Sequence, residues 1–344
     1  MTDALLITAD ETLLDELVRL AAAAGVTPAV AADAGGALRG WQQAAVVLVG
    51  ADLVAELARL APPRRDGVHV VGWTVPDALY REALALGAEA VVMLPASAEW
   101  LAALLSDVGD VGRARGFTVG VIAGSGGAGA TTFGCALGQL AARAGPTVVI
   151  DADPLGPGVD RVLGMETHEG VRWDELARTS GRLSARSLRE ALPRRGDLAL
   201  LTWVAGSSRE LPEVAAREVL SAARRGHDTV VIDLPRSLSP TTEELLHRCD
   251  QVLVVVSCTL VGIASASRLV ASLPDRSRLR LVVRGGLADE AAVAAAVGAP
   301  VLAAMSDQRG LDEAIDLGYG PLRNRRAPLG RAAAAVLEML SVAS

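Results

Sequence analysis

Hydrophobic and polar positions along the chain follow two alternating periods. Short apolar runs at Leu5–Thr8, Thr27–Ala31, Ala45–Val49, Val68–Gly72 and Ala90–Leu94 predict strands. Between them, Leu13–Ala24, Leu53–Leu60, Ala78–Leu86 and Trp100–Val108 carry apolar residues at helical spacing. That alternation predicts a doubly wound parallel sheet over residues 1–108. The stretch 109–116 (GDVGRARG) has no apolar periodicity and reads as a linker. A second and longer series then begins. Strands are predicted at Thr118–Ala123, Thr147–Ile150, Leu198–Trp203, Thr229–Asp233, Gln251–Val256, Leu279–Val283 and Val301–Ala304. Helices are predicted at Thr131–Ala144, Trp173–Ala177, Leu188–Leu192, Ile263–Leu273, Gly310–Gly318 and Leu329–Leu340. The fold class is α/β, with one domain over 1–108 and another over 117–344.

One stretch of this pattern carries chemistry. From Phe117 to Phe133 the chain reads FTVGVIAGSGGAGATTF: an apolar strand, a glycine-rich turn and an Ala/Leu-rich helix. Strand, glycine turn and helix is the context a phosphate-binding loop requires, because glycine lets several N–H groups converge on an anion at a positive helix end. A tight turn that merely needs glycine would show the same spacing.

The segment Ser125-Gly-Gly-Ala-Gly-Ala-Thr-Thr132 resembles the deviant Walker A loop of the MinD/ParA ATPases, K-G-G-x-G-K-[ST]-[ST]. The resemblance implies a P-loop α/β domain over nearly all of 117–344. It implies nucleotide contacts from Gly126, Gly127, Ala128, Gly129, Ala130, Thr131 and Thr132, with Mg²⁺ held by Thr131 and Asp233. Asp233 ends the apolar strand Thr229–Asp233 as a Walker B aspartate does. Asp151-Ala-Asp153 looks like the D-x-D switch of the same family, in which Asp153 positions the attacking water. Arg284 stands where ParA-like proteins often carry an adenine-contacting asparagine, so a base-stacking role is expected of it. The run Gly158-Val-Asp-Arg-Val-Leu-Gly164 and the closing P-V-L-x-x-x-x-D…L-x-E-A pattern match the family as well. The form Asp233-Leu-Pro-Arg236 resembles the CpaE/TadZ-like branch and the actinobacterial septum site-determining (Ssd) proteins.

Residues 1–108 resemble a response-regulator receiver whose chemistry is incomplete. Asp10 and Glu11 keep part of the acidic pair, and Thr74 fits the hydroxyl position. Gly50 stands at the phospho-acceptor place, with Asp52 two residues late, and Leu94 precedes Pro95 where a lysine is expected. The expectation is a pseudo-receiver that binds partners.

Composition sharpens the loop reading. The 33 basic residues are all arginine, so both lysines of the P-loop pattern are gone, replaced by Ser125 and Ala130. A unit charge about 4 Å from a phosphate is worth about 4 kcal/mol at an effective dielectric near 20. The loss should therefore weaken hydrolysis, which gathers charge on the γ-phosphoryl oxygens, more than binding. A net charge of −7 argues against a general nucleic-acid binder. Arg323, Arg325 and Arg326 form a local basic cluster. Cys135, Cys249 and Cys258 lack metal-site spacing, and no apolar run reaches membrane-span length. No signal peptide is expected at the N-terminus.

The resemblance implies a cytoplasmic spatial regulator of septum placement or Tad-type pilus or secretion localisation, recruited to a pole or septum. ATP or ADP with Mg²⁺ is the implied cofactor. The implied partners are proteins of the division or secretion machinery and a second copy of the chain, with membrane contact only indirect. An ATPase using arginine in place of lysine and a ParA-like DNA-partition protein stand as alternatives.

Overall fold

The computed structural model describes residues 4–65, 67–74, 76–109, 116–177, 183–204, 206, 211–273, 275–285 and 289–343. The chain divides into two compact units, one built on Met1–Ala114 and the other on Arg115–Leu183 and Ser187–Ser344. Of the expected linker, residues 110–115 lie outside the described residues.

The first unit runs β1 (Ala4–Ile7), α1 (Glu11–Ala23), β2 (Ala29–Ala31), α2 (Ala34–Ala37), β3 (Val46–Gly50), α3 (Val54–Leu60), β4 (Val68–Gly72), α4 (Asp77–Leu86), β5 (Ala90–Met93) and α5 (Ala98–Gly109). Its five strands pair in parallel in the order β2-β1-β3-β4-β5. Strand alternation sends Leu5, Ile7, Val47 and Val49 to one face, against Trp41, Leu57 and Leu79. Leu6 and Leu48 pack on the other face with Leu13, Leu17, Leu101 and Leu105. Helices on both faces explain why β3 is apolar throughout rather than alternating. The short α2 (sequence AGGA) departs from the sequence pattern, because two glycines suppress any helical signal; Asp33 caps it by accepting from the Gly36 N–H.

The second unit runs β6 (Phe117–Ala123), α6 (Ala130–Ala141), β7 (Thr147–Asp151), α7 (Val159–Leu163), α8 (Trp173–Leu176), α9 (Ala185–Ala191), β8 (Arg194–Arg195), β9 (Leu198–Leu201) and α10 (Glu213–Gly226). It continues with β10 (Thr229–Leu234), α11 (Pro240–Arg248), β11 (Gln251–Ser257), α12 (Leu260–Ser272), β12 (Leu279–Arg284), α13 (Glu290–Val297), β13 (Val301–Met305), α14 (Leu311–Asp316) and α15 (Pro328–Ala343). The sheet order is β13-β12-β11-β6-β10-β7-β9-β8, parallel except for the β8–β9 pair. Because β6 lies between β11 and β10 while the chain proceeds to β7, the strand order reverses at β6. A crevice opens at the carboxyl end of such a switch point, and the glycine turn sits there.

The predicted strand Leu198–Trp203 stops at Leu201, and Thr202 and Trp203 turn out of the sheet, with the Thr202 hydroxyl on Asp151 of β7. Helices α10, α11 and α13 lie outside the helical segments that the apolar pattern predicts. In α15, Leu329, Ala332, Ala333 and Val336 pack in the same core as Phe133 and Leu137 of α6. No helix among the described residues is long and apolar enough to cross a membrane.

Candidate functional site

The glycine turn leaves β6 at Gly124, whose N–H donates to the Val255 carbonyl at 2.8 Å and ties the turn to β11. Gly127 (φ +73°) and Gly129 (φ +92°) adopt the left-handed backbone that favours glycine. Gly129 is the N-cap of α6 and brings no side chain to satisfy the first-turn amides. Within the loop the Ala128 N–H donates to the Ser125 carbonyl at 3.2 Å. The amides of Ala130, Thr131 and Thr132 open the helix, where no intrahelical carbonyl is available to them. A bare helix end behind a glycine loop attracts an anion through its N–H groups and its dipole. Gly126 and Gly127 are exposed, Ser125, Gly129, Thr131 and Thr132 are half-buried, and Ala128 and Ala130 are buried.

Asp233 of β10 bonds to this helix end through Thr131, and Asp151 of β7 and Asp153 just beyond it bring two further carboxylates close to Asp233. Asp233 and Asp151 are register partners at the ends of adjacent strands. Asp233 is 3% exposed, and its carboxyl is pushed up to about 7. Burial is the main cause; a hydrogen bond from Thr131 opposes it, and the Asp151 and Asp153 charges add to it. Asp151 is raised to about 6, again by burial first, against the hydrogen bonds it accepts. Those bonds come from the Asp153 N–H (3.1 Å), the Val159 N–H (3.2 Å) and the Thr202 hydroxyl (2.8 Å). The Asp151 carbonyl accepts from the Trp173 indole at 2.7 Å. Asp151 thus holds the loop between β7 and α7 in shape. Asp153 is half-buried and accepts from the Leu155 N–H at 3.0 Å. The Thr131 hydroxyl and the Asp233 carboxylate are hard oxygens in a region overloaded with negative charge, a donor set that suits Mg²⁺. The amide nest suits a phosphate in shape, while Ala130 contributes only a methyl group to the core.

An arginine from elsewhere in the sequence reaches the loop. Arg284, the last residue of β12, donates from Nε to Asp307 Oδ1 at 2.8 Å. Its Nη1 points at the carbonyls of Gly127 and Ala128, each at 3.4 Å. The arginine expected to stack on a base is therefore seated against the loop itself. Asp307, which holds this arginine, is a residue that the sequence reading misses, although it is the D of the closing P-V-L-x-x-x-x-D pattern. Thr202 and Trp173 give no local signal at all, since both act through contacts remote in sequence. Arg236 reaches Ser265 at 3.2 Å. Arg323 lies over the Tyr319 ring, and Arg325 and Arg326 line a groove of about 550 Å³ with Arg331.

In the first unit, two of the receiver-like residues, Asp10 and Asp52, come together around Thr8 just past the end of β1. Asp52 folds back over Gly50: its Oδ1 accepts from the Thr8 hydroxyl at 2.8 Å and its Oδ2 from the Ala9 N–H at 2.7 Å. A Cβ on Gly50 would lie 2.2 Å from Asp52 Oδ1 and 2.7 Å from Thr8 Cβ. Asp10 is spent as the N-cap of α1, accepting from the Thr12 and Leu13 amides at 2.9 and 3.2 Å. Glu11 and Thr74 are exposed, and Leu94 is buried. Thr8 is the residue that sequence reasoning misses here.

Comparison with known proteins agrees with both architectures. A family model described as Rv3660c-like, CheY-like N-terminal domain matches residues 7–116. The Mycobacterium tuberculosis (strain H37Rv) protein Rv3660c is 37% identical over 345 residues, covering 96% of either chain. Among solved structures, a ParA family ATPase from Chlorobium tepidum superposes with a TM-score of 0.56 at 15% identity, over 65% of this chain and 99% of that one. The MinC:MinD cell division complex of Aquifex aeolicus gives 0.55 at 20% identity, over 66% and 97%. MinD with Mg-ADP from Pyrococcus horikoshii gives 0.54 at 16% identity, over 65% and 95%. The second unit therefore has the MinD/ParA-type ATPase fold, and the first is CheY-like.

Proposed function

This chain belongs to the same family as Rv3660c, and from that premise we propose that it is a CpaE/Ssd-like spatial regulator, placing the septum or localising Tad-type pilus or secretion machinery. Its MinD-like unit binds ATP or ADP with Mg²⁺ and hydrolyses little; its receiver-like unit serves as a surface for protein partners. The carrying observation is a phosphate-loop backbone with no lysine: Gly127 and Gly129 keep the left-handed turn at the start of α6, while Ala130 supplies no charge. Binding can rest on the loop amides, Thr131 and Asp233. Turnover needs charge neutralisation in the transition state, which the loop's own side chains do not supply. Two proteins of the same fold lend support, one a MinD complexed with Mg-ADP and the other a MinD complexed with MinC.

Two measurements test this reading. Calorimetry with Mg²⁺-ATP and a steady-state phosphate-release assay should show binding with turnover far below about 1 s⁻¹, the lower end of ordinary enzyme rates. Turnover in the ordinary range would replace this reading with that of an ATPase working through arginine. A fluorescent fusion of the whole chain should form foci at a pole or septum, lost on removal of residues 1–108 and largely kept in Asp233→Ala. Diffuse fluorescence from the whole chain would reject the spatial role.

A further inference from the structure

An arginine from two strands away reaches the glycine loop that has no cation of its own. The chain has no lysine, and β12 is separated from β6 only by β11. From the end of β12, the Arg284 guanidinium reaches Nη1 toward the Gly127 and Ala128 carbonyls at 3.4 Å. The contact is close at the residue that opens α6: a Cβ on Gly129 would lie 2.9 Å from Nη1. Asp307 grips Nε at 2.8 Å and fixes the direction of the fork. The Asp307 side chain is 74% exposed against 36% for Arg284, so water screens the carboxylate more than the guanidinium.

We propose that Arg284 is the phosphate loop's cation, delivered from β12 and positioned by Asp307, and that its ligand is the polyphosphate of a nucleotide rather than the base. This role for Arg284 rests on reading the glycine loop as a phosphate site. The physical route runs through the peptide dipoles. The Gly127 and Ala128 carbonyls belong to the peptide units that carry the Ala128 and Gly129 N–H groups. A cation at the oxygen end of those units polarises the N–H ends and favours turning them away, toward an anion. The Ala128 N–H is spent on Ser125, so the Gly129 amide and the first turn of α6 receive the effect.

Calorimetry on the full chain with two probes, Mg²⁺-ADP and inorganic tripolyphosphate, tests this. Arg284→Gln keeps hydrogen-bonding capacity and loses charge; Arg284→Lys keeps charge. Gln should weaken both probes by about tenfold or more and flatten the salt dependence, whereas Lys should stay within about threefold of the native chain. Equal losses in Gln and Lys, or no loss in either, would overturn the role of charge. Loss for ADP without loss for tripolyphosphate would assign Arg284 to the base and overturn the proposal. If the native chain binds neither probe, the phosphate-site reading itself fails and takes this inference with it. Should Arg284→Gln melt early, Asp307→Asn releases the anchor and keeps the charge. It should weaken both probes by about two- to fivefold, and unchanged affinity there would overturn the positioning role.

Discussion

The two sheet edges that carry the candidate chemistry each lack charged residues that the resemblances imply, and they differ in what stands there instead. At the receiver-like edge, Gly50 stands where an acceptor carboxylate is expected. The chain has turned Asp52 into the space and satisfied it with Thr8 and the Ala9 amide. At the MinD-like edge the loop keeps its shape, but Asp233 and Asp151 stay buried with carboxyls raised to about 7 and 6. The first edge is closed by its own groups. The second carries amides that suit an anion and acids that suit a cation. A polar arrangement satisfied from within contributes stability and asks for no ligand; buried like charges with no cation beside them cost stability that a ligand can return.

The largest effect tests that unsatisfied charge. Asp233 has a folded-state value of about 7, above the 3.8 expected unfolded, so the native chain holds the extra proton between those values. Its contribution is fullest below about pH 4 and declines as pH rises to about 7; Asp151 follows the same course to about 6. Asp233→Asn removes the charge and should stabilise the ligand-free chain at pH 8 by about 2–4 kcal/mol, since each pH unit separating the folded and unfolded values is worth about 1.4 kcal/mol. It should also flatten the fall in melting temperature from pH 5 to pH 8. Mg²⁺ with nucleotide should restore the melting temperature at pH 8 in the native chain and not in the variant. A variant less stable than the native chain at pH 8 would show that Asp233 is satisfied in place, and the contrast between the edges would fail.

The next effect tests closure at the other edge. Gly50→Ala puts a methyl 2.2 Å from the Asp52 carboxylate and 2.6 Å from the Thr8 hydroxyl. It should cost about 2–3 kcal/mol in denaturant unfolding, as overpacking of a filled position does. Adding Asp52→Ala should recover only part, because Thr8 Cβ still stands 2.7 Å away. A neutral Gly50→Ala would mean that the position is open.

How far the sequence announces these edges follows from the physics of each part. Strands such as Val46–Gly50 and Gln251–Ser257 are legible because short valine-rich apolar runs, buried on both faces, are too short for helices and too rich in β-branched residues for loops. Helix α13 is not, because alanine suits buried and exposed faces alike and blurs the period; in Glu290–Val297 only Val293 and Val297 are buried. The loop glycines, Thr131, Asp151, Asp153 and Asp233 are legible because each sits at a strand end or helix start defined by its neighbours. The pairs that join these sites to distant parts of the chain are not. Thr8 with Asp52 spans 44 residues, and Arg284 with Gly127 spans 157. Such contacts depend on strand order and side-chain direction, neither of which a local pattern encodes.

A smaller effect sharpens the MinD-like side. Gly129 sits at φ +92°, with the Arg284 guanidinium against it. Gly129→Val should cost about 1–3 kcal/mol of stability through the left-handed backbone and should abolish calorimetric binding of nucleotide. Full binding in this variant would remove the loop from the ligand's contacts.

The smallest effect is the one expected to be nil. Acetyl phosphate with Mg²⁺ should leave the mass of the chain unchanged. Asp52 is the carboxylate nearest the acceptor position, yet both of its oxygens accept hydrogen bonds, at 2.8 and 2.7 Å. Phosphorylation would break at least one of them. Asp10, which would share the metal, already accepts two amides as the cap of α1 and would have to release them. Leu94 brings a buried apolar side chain where a cation would steady the phosphoryl group. Each obstacle alone is worth about 1–2 kcal/mol, and together they oppose both transfer and retention of the group. A mass increase of one phosphoryl group, lost in Asp52→Asn, would show that the receiver-like edge opens in solution and that its self-satisfaction is only one of its states.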